Sequence, residues 1–219
     1  MGTPADVLLI GLGGLGCPVV AGLSQTHPEL RWIICDGDVV DRSNLARQWL
    51  YDEADVGRRK TDVVARRLQH VEVMGSVQRS QLPGLVQSAR VVIDASDDVE
   101  LKFALNDAAV RAQRRFVIGG ITGLDGFVLA RSQRACLRCV FESPTDDMRR
   151  TCAEAGVLAP GPAMVGAVMA HAVGRLLGEP AFDAFWSFSL RAGRSRMLSF
   201  DRALHCVLHD AEVVVSDAD

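Results

Sequence analysis

The sequence feature that most constrains the fold is a glycine-rich turn close to the start of the chain. The apolar residues 7–10 run directly into GLGGLG, residues 11–16, and an apolar helical pattern follows over residues 15–23. A buried strand, a G-x-G-x-x-G turn and a helix in this order are typical of a Rossmann-like nucleotide-binding unit. Glycines allow the tight turn, and backbone N–H groups at the helix start can hold a phosphate. The nucleotide-binding loop is therefore predicted to comprise Gly11, Gly13, Gly14 and Gly16.

Apolar strands and helical patterns alternate along most of the chain. The predicted buried strands are residues 7–10, 31–35, 71–77, 91–95 and 116–121, and the predicted helices are residues 15–23, 57–70, 99–114 and 162–178. Such alternation predicts a parallel sheet with helices on both faces. A strand at 127–130 and a hairpin within 184–201 predict antiparallel strands at one end. The expected fold class is α/β, a Rossmann-like doubly wound, mainly parallel sheet extended by antiparallel C-terminal strands. We expect one domain, residues 1–219, with a crossover loop at about 132–161.

Composition places the chain in a broad class. The 219 residues are 48% hydrophobic and 23% charged, which is typical of a globular protein. The net charge of −3 implies no basic face, so nucleic acid is not expected to be the main partner. The first residues show no secretion signal, and no apolar run reaches the ~20 residues of a membrane helix. Six cysteines in such a chain favour a reducing compartment, and we expect a cytoplasmic protein with no membrane partner.

Charged residues behind the glycine turn favour a triphosphate over a dinucleotide. Asp36 lies 20 residues after Gly16 at a predicted strand end, where a carboxylate can accept hydrogen bonds from ribose. Asn44, Arg47 and Lys60 follow. The extra cations suit the higher negative charge of ATP, although such residues are often only solvated helix charges.

The sequence DASDD, residues 94–98, supplies carboxylates at the end of another predicted parallel strand. We predict that Asp97 holds Mg²⁺ and that Asp94 orients the strand end. The alternative is an NAD(P)-dependent oxidoreductase, which would use the glycine turn and leave Arg47, Lys60 and Asp97 without a role.

Four residues near the end of the chain have the spacing of a zinc site. Cys136 and Cys139 form C-x-x-C, and Cys206 and His209 form C-x-x-H. Together they can complete a structural, four-ligand zinc site that links the C-terminal region, about 184–210, to the crossover. His205 is a competing ligand. A redox role for the C-x-x-C is disfavoured because the pair follows the sheet and does not begin a helix. Cys17 and Cys35 are expected to be core residues.

Together these stretches resemble the ThiF/MoeB/HesA family, relatives of the ubiquitin-activating enzymes. The matching stretches are GLGGLG, DGDVVDRSNLARQ, DVGRRK, DASDD, CLRC and TCAEAGVLAP, and they extend from residue 7 to about 178. The resemblance implies ATP-dependent adenylation of the C-terminal glycine carboxylate of a ubiquitin-like sulfur-carrier protein of the thiamine or molybdopterin type, by a homodimer. By motif position, Gly14 and Asp36 would bind the nucleotide, Asn44, Arg47 and Lys60 the phosphates, and Asp97 magnesium.

The resemblance also suggests a role for Cys152 and leaves alternatives open. Cys152 matches a position where some members carry a reactive cysteine that takes up the activated carrier. Relatives usually have a second C-x-x-C where this chain has Cys206 and His209. They also carry an arginine before the first strand that reaches the partner subunit's ATP, and here six residues precede Val7. The alternatives are a non-catalytic nucleotide- and zinc-binding subunit, or adenylation of a peptide or a modified tRNA base.

Overall fold

One eight-stranded sheet organises the computed structural model, which describes residues 4–145, 159–179, 181–199 and 201–209. The strands are β1 (Ala5–Ile10), β2 (Arg31–Cys35), β3 (His70–Met74), β4 (Ala89–Asp94), β5 (Arg115–Thr122), β6 (Asp125–Arg131), β7 (Ala184–Ser189) and β8 (Arg194–Leu198). The α-helices in the described residues are α1 (Gly16–Thr26), α2 (Lys60–Ala65), α3 (Leu82–Leu85), α4 (Val99–Arg111), α5 (Leu137–Val140) and α6 (Pro160–Gly178). Short 3₁₀ turns lie at Arg42–Asn44, Glu53–Asp55, Arg79–Gln81 and Val86–Ser88.

The strand order is β3-β2-β1-β4-β5-β6-β7-β8. The first five strands are parallel, and β6, β7 and β8 extend the sheet antiparallel. This confirms the predicted fold class. The chain leaves β1 toward β2 on one side and returns to β4 on the other, so a crevice opens at the carboxyl ends of β1 and β4. Ligands bind at such a switch point in open α/β sheets.

The two faces of the sheet carry separate apolar cores. Alternate residues of β1 point to opposite faces, so Val7 and Leu9 pack with α1 and α6 whereas Leu8 packs with α4. All three side chains are fully buried. Burial of each such side chain contributes about 1.5–3 kcal/mol. Helices on both faces explain why the strands read as continuous apolar runs. None of the described helices combines the length and the apolar character needed to cross a membrane.

Two predicted elements differ from the structure. The helix predicted over 57–70 extends only over Lys60–Ala65, because Gly57 has a φ of +85° and Arg59 forms a β-bridge with Val39. The region predicted as a loop over 132–161 contains the short helix α5, and α6 begins at Pro160. Cys152 lies outside the described residues.

A carboxylate holds the turn that leads into the C-x-x-C sequence. Asp183, just before β7, accepts hydrogen bonds from the backbone N–H groups of residues 132–134 and from the Ser132 hydroxyl, at 2.6–3.1 Å. Burial acts to raise the pKa of Asp183, but these hydrogen bonds outweigh it and hold the pKa below its usual value. Asp183 therefore stabilises the fold in its ionised form.

We expect Asp183→Asn to lower the free energy of unfolding at pH 7 by about 1–2 kcal/mol, because hydrogen bonds to a charged acceptor are lost. The folded-state pKa is depressed, so this contribution is present above the unfolded pKa and is lost as the pH falls through the folded pKa. The measurement is urea unfolding at pH 7 and in the acid range, where variant and wild type should converge. Asp201→Asn is the control, since Asp201 is 89% exposed and its pair with Arg134 is a surface contact. An equal loss in both variants would contradict the assignment.

Candidate active site

A cavity of about 1020 Å³ occupies the crevice at the carboxyl ends of β1 and β4. It brings together residues that the sequence separates by more than a hundred positions. The residues predicted to bind nucleotide that line this cavity are Gly11, Gly13, Gly14, Asp36, Asn44, Arg47, Lys60 and Asp97. Gly16 does not line the cavity and packs against Gly11. On the far side the cavity is bounded by β5, β6 and β7.

The glycine loop lies directly against the loop after β4. Gly11 has a φ of +91°, and a Cβ there would lie 2.7 Å from the backbone of Ala95. A Cβ on Gly16 would collide with the carbonyl oxygen of Gly11. Both positions therefore require glycine, one for its backbone conformation and close approach and the other for close approach alone. The result is an open cradle of backbone at the start of α1, where a phosphate can approach N–H groups.

Two side chains fix the position of this loop. The Asp36 carboxylate accepts hydrogen bonds from the N–H of Leu12 at 2.7 Å and from the N–H of Asp38 at 2.8 Å. The hydroxyl of Tyr51 donates to the carbonyl oxygen of Leu12 at 2.8 Å. Asp36, which was predicted to bind the ribose, thus orients the glycine loop. No role was predicted for Tyr51. The one sequence feature that could have drawn attention to it is that the chain has a single tyrosine.

The cations predicted to contact phosphates are held in place by the protein. Lys60 is 4% exposed, and its Nζ lies 2.8 Å from Asp38 Oδ2. Arg47 is half-buried and donates to the carbonyl oxygen of Ser43 at 3.1 Å. Asn44 is also half-buried, on the same wall. Lys60 is not a solvated helix charge, because its ammonium is buried beside the cavity.

A buried amide next to the glycine loop also fits a polar ligand. Gln48 is 4% exposed and lines the cavity beside Gly13. Its Oε1 is buried without a hydrogen-bond partner within the described part of the chain. A buried acceptor of this kind is costly unless a ligand or water donates to it. No role was predicted for Gln48 from the sequence, although it directly follows Arg47.

The loop after β4 presents carboxylates to the cavity. Asp97 and Asp98 are both exposed and line the cavity, and Asp98 also caps α4 by accepting from the N–H of Leu101 at 3.0 Å. Asp94 is fully buried at the end of β4, and burial raises its pKa against the opposing effects of Lys102 and Ser96. Carboxylate oxygens are the ligands that Mg²⁺ prefers. Asp97 could therefore contact a metal ion in the cavity, whereas Asp94 does not line it.

The predicted zinc ligands form one cluster. The donor atoms of Cys136, Cys139, Cys206 and His209 all lie within 4.8 Å of one another. The Sγ–Sγ distances from Cys136 are 3.8 Å to Cys139 and 3.7 Å to Cys206, and Cys139 Sγ lies 3.4 Å from His209 Nδ1. Zn–S bonds of about 2.3 Å in a tetrahedron place two sulfurs about 3.8 Å apart, which these distances match. The set could hold zinc, and His205 is exposed and outside it.

The surroundings of the cluster favour a structural role. Burial raises the pKa of the Cys136 thiol to about 12, and the neighbouring cysteines add to the effect. A thiol in this state is a poor nucleophile without a metal. The expectation that the C-x-x-C would not begin a helix is wrong, because Cys136 is the N-cap of α5. The burial of the Cys136 thiol, and not its position relative to a helix, therefore argues against a redox-active cysteine pair. The other described cysteines, Cys17 and Cys35, are buried in the core, with pKa values raised by burial to about 11 and about 12.

Helix α4 holds the cluster against the sheet. Asn106 Oδ1 accepts from the N–H of Leu137 at 2.8 Å, inside the core. Asp107 forms two hydrogen bonds with the guanidinium of Arg138, at 2.7 and 2.8 Å. Since α4 begins at the Asp97–Asp98 loop, the same helix connects the cysteine cluster to the cavity.

We expect the purified chain to bind about one zinc ion, because four ligands of the required types converge. His209→Ala should lose zinc and unfold at a lower temperature, whereas His205→Ala should keep both properties. Metal content by mass spectrometry and thermal unfolding provide the test. Zinc loss in His205→Ala, or full retention in His209→Ala, would contradict the ligand assignment.

Comparisons with known proteins agree with this geometry. A model of the ThiF family matches residues 3–206. The sulfur carrier protein adenylyltransferase of Thermus thermophilus is 35% identical over 220 residues, which cover 92% of this chain and 81% of that protein. The adenylyltransferase and sulfurtransferase MOCS3 of Mus musculus is 35% identical over 178 residues, 76% of this chain. The chain spans about 38% of that mouse protein, and about 40% of its Culex quinquefasciatus counterpart.

Solved structures show the same fold at lower identity. A crystal structure of E. coli MccB with ATP superposes with a TM-score of 0.76 at 20% identity, over 94% of this chain and 67% of that one. The structure of PaaA gives a TM-score of 0.67 at 22% identity, over 90% of this chain. These likenesses concern the arrangement of strands and helices alone.

Proposed function

Because this chain belongs to the ThiF family, we propose that it is an ATP-dependent adenylyltransferase that activates the terminal carboxylate of a ubiquitin-like sulfur-carrier protein. The observation that carries the proposal is the convergence of Arg47, Lys60 and Asp97 on one cavity beside the glycine loop. A dinucleotide needs neither the two cations nor the carboxylate. At about 1020 Å³, the cavity slightly exceeds the range typical of ligand sites, about 300–1,000 Å³. It therefore suits a nucleotide together with the end of a second substrate.

The reaction requires an anion to approach a polyanion. A terminal carboxylate is already ionised at pH 7 and needs no general base. Its oxygen attacks the α-phosphorus, the bond to the pyrophosphate oxygen breaks, and an acyl adenylate and pyrophosphate form. Arg47 and Lys60 reduce the repulsion and stabilise the negative charge that develops on the phosphates. Asp97 would hold Mg²⁺, and the bound ion would neutralise part of the negative charge of the phosphates.

The far wall of the cavity supports an extended acceptor. Gly120 and Gly126 lie on the neighbouring strands β5 and β6, and a Cβ on Gly120 would lie 2.6 Å from the ring of Phe127. Side chains already occupy the space beside both glycines, Phe127 at Gly120 and Val165 at Gly126, and the open space on this wall is the part of the cavity lined by Thr122, Asp125 and Ser187. A flexible terminus of small residues, such as Gly-Gly, fits this space. We assign the carrier tail to this wall.

Several finer assignments belong to the same proposal. The carrier is of the thiamine or molybdopterin type, and Cys152 takes up the activated carrier in a second step. The chain acts as one adenylation domain, residues 1–219, in which zinc links the C-terminal region to the crossover. The proposal includes a homodimer, and we assign the 62% exposed side chain of Trp49, next to Gln48 in the sequence, to its interface.

Isotope exchange between pyrophosphate and ATP tests the adenylation step. In the presence of a carrier ending in Gly-Gly, we expect Arg47→Ala and Asp97→Ala to reduce the exchange rate by about 10²–10³, because each removes a contact to transition-state charge. Arg42→Ala is the matched control, since Arg42 lies in the same segment but is 78% exposed and pairs with Glu53. It should exchange at nearly the wild-type rate.

The outcomes separate the candidate functions. ATP binding without exchange, for every carrier tested, would favour a non-catalytic nucleotide-binding subunit. Exchange that depends on a short peptide and not on a carrier would favour a peptide acceptor. Binding of NADH without binding of ATP would overturn the proposal.

A further inference from the structure

Both lysines of the chain lie at the same cavity. Two of the 24 basic residues are lysines, Lys60 and Lys102, and the rest are arginines. Each lysine is 4% exposed, lines the cavity and pairs with an aspartate. The function proposed above uses Lys60 and leaves Lys102 without a role.

The ammonium of Lys102 reaches from α4 back to the end of β4. Its Nζ lies 3.4 Å from Oδ1 of Asp94, and the side chains of the pair are 5% and 0% exposed. Oδ2 of Asp94 has no hydrogen-bond partner within the described part of the chain. Lys102 is the cation in contact with this fully buried carboxylate, and removing one member of a buried ion pair leaves the other without compensation.

Asp94 in turn folds the loop that leads into the cavity. The same Oδ1 accepts hydrogen bonds from the N–H of Ser96 at 2.8 Å and from the Ser96 hydroxyl at 2.7 Å. Ala95 is held from the other side, because its N–H donates to the carbonyl oxygen of Ile10 at 2.8 Å. Asp97 follows directly, is exposed and lines the cavity. Its direction is therefore determined by the turn that Asp94 stabilises.

We propose that Lys102 is a positioning residue for the carboxylate that meets the metal–nucleotide complex. Its ammonium fixes Asp94, Asp94 fixes the turn at Ser96, and this turn directs Asp97 into the cavity. The inference rests on the proposed function for the role of Asp97. The arrangement of the loop itself is independent of that function.

The first test needs no nucleotide, metal substrate or carrier. Hydrogen exchange of backbone amides is compared between the wild type, Lys102→Met and Arg111→Met in the full-length chain. Arg111 is exposed at the other end of α4, so its variant controls for the loss of a positive charge from the same helix. We expect the Ser96 amide to exchange about tenfold faster in Lys102→Met and to be unchanged in Arg111→Met. Unchanged Ser96 exchange in Lys102→Met would overturn the proposal.

The second test measures the Mg²⁺ dependence of pyrophosphate exchange at saturating ATP. We expect the Mg²⁺ concentration at half-maximal rate to rise about tenfold in Lys102→Met, and Lys102→Arg, which retains the charge, to lie closer to the wild type. If Lys102 instead contacted the phosphates directly, half-saturation by ATP would rise while Ser96 exchange stayed normal. That result would overturn the positioning role.

A double substitution tests whether Lys102 acts through Asp94. Asp94→Asn combined with Lys102→Met leaves no unpaired buried charge, so this variant remains informative if Lys102→Met does not fold. We expect Lys102→Met to change the Mg²⁺ requirement much less in the Asp94→Asn background than in the wild type, since coupled residues are non-additive. Equal effects in both backgrounds would overturn the proposal. If the wild type itself shows no exchange, the proposed function fails, and the amide comparison still decides the loop arrangement.

Discussion

The site depends on the close contact between two backbone turns at the carboxyl ends of β1 and β4. Gly11 lies so near Ala95 that a single methyl group would separate the two loops. This contact places the backbone N–H cradle at the start of α1 next to the carboxylates that follow β4. Because parallel strands end at the same edge of the sheet, both loops open into one crevice. The position of the cavity thus follows from strand order and from glycine at two positions.

Charge in the cavity is arranged in pairs before any ligand binds. Lys60 is matched by Asp38, and Lys102 by Asp94, so each buried ammonium has a carboxylate. Pairing makes burial of the two ammonium groups tolerable, and burial would strengthen their effect on a polyphosphate in the cavity, because water screens buried charges less. Arg47 differs, since it is half-buried and hydrogen-bonded to a carbonyl oxygen. It keeps its full charge available to a ligand, which suits a residue that contacts phosphate.

The antiparallel half of the molecule is held by contacts of a different kind. Asp183 fixes the turn before the C-x-x-C sequence, and α4 fixes the cysteine cluster through Asn106 and Asp107. A zinc ion within that cluster would connect the segment at Cys206 and His209 to the rest of the domain. The wall proposed to receive the acceptor tail includes β6 and β7 and also β5, which pairs with the parallel strand β4. Contacts of both parts of the sheet therefore hold this wall in place.

The sequence by itself determined the doubly wound fold, the nucleotide loop and the four residues of the cysteine–histidine cluster. It could do so because apolar strand runs, G-x-G-x-x-G and C-x-x-C spacing express local backbone and ligand requirements. It did not reveal Tyr51, Gln48 or Lys102, and it overextended the helix at 57–70. Tyr51 meets a carbonyl group 39 positions away, which no local pattern reveals. Lys102 meets Asp94 only eight positions away, but its burial depends on how α4 packs against the end of β4. Only the tertiary structure decided which charged residues are buried in pairs and which face the cavity, because burial and pairing are properties of packed neighbours and not of the local sequence.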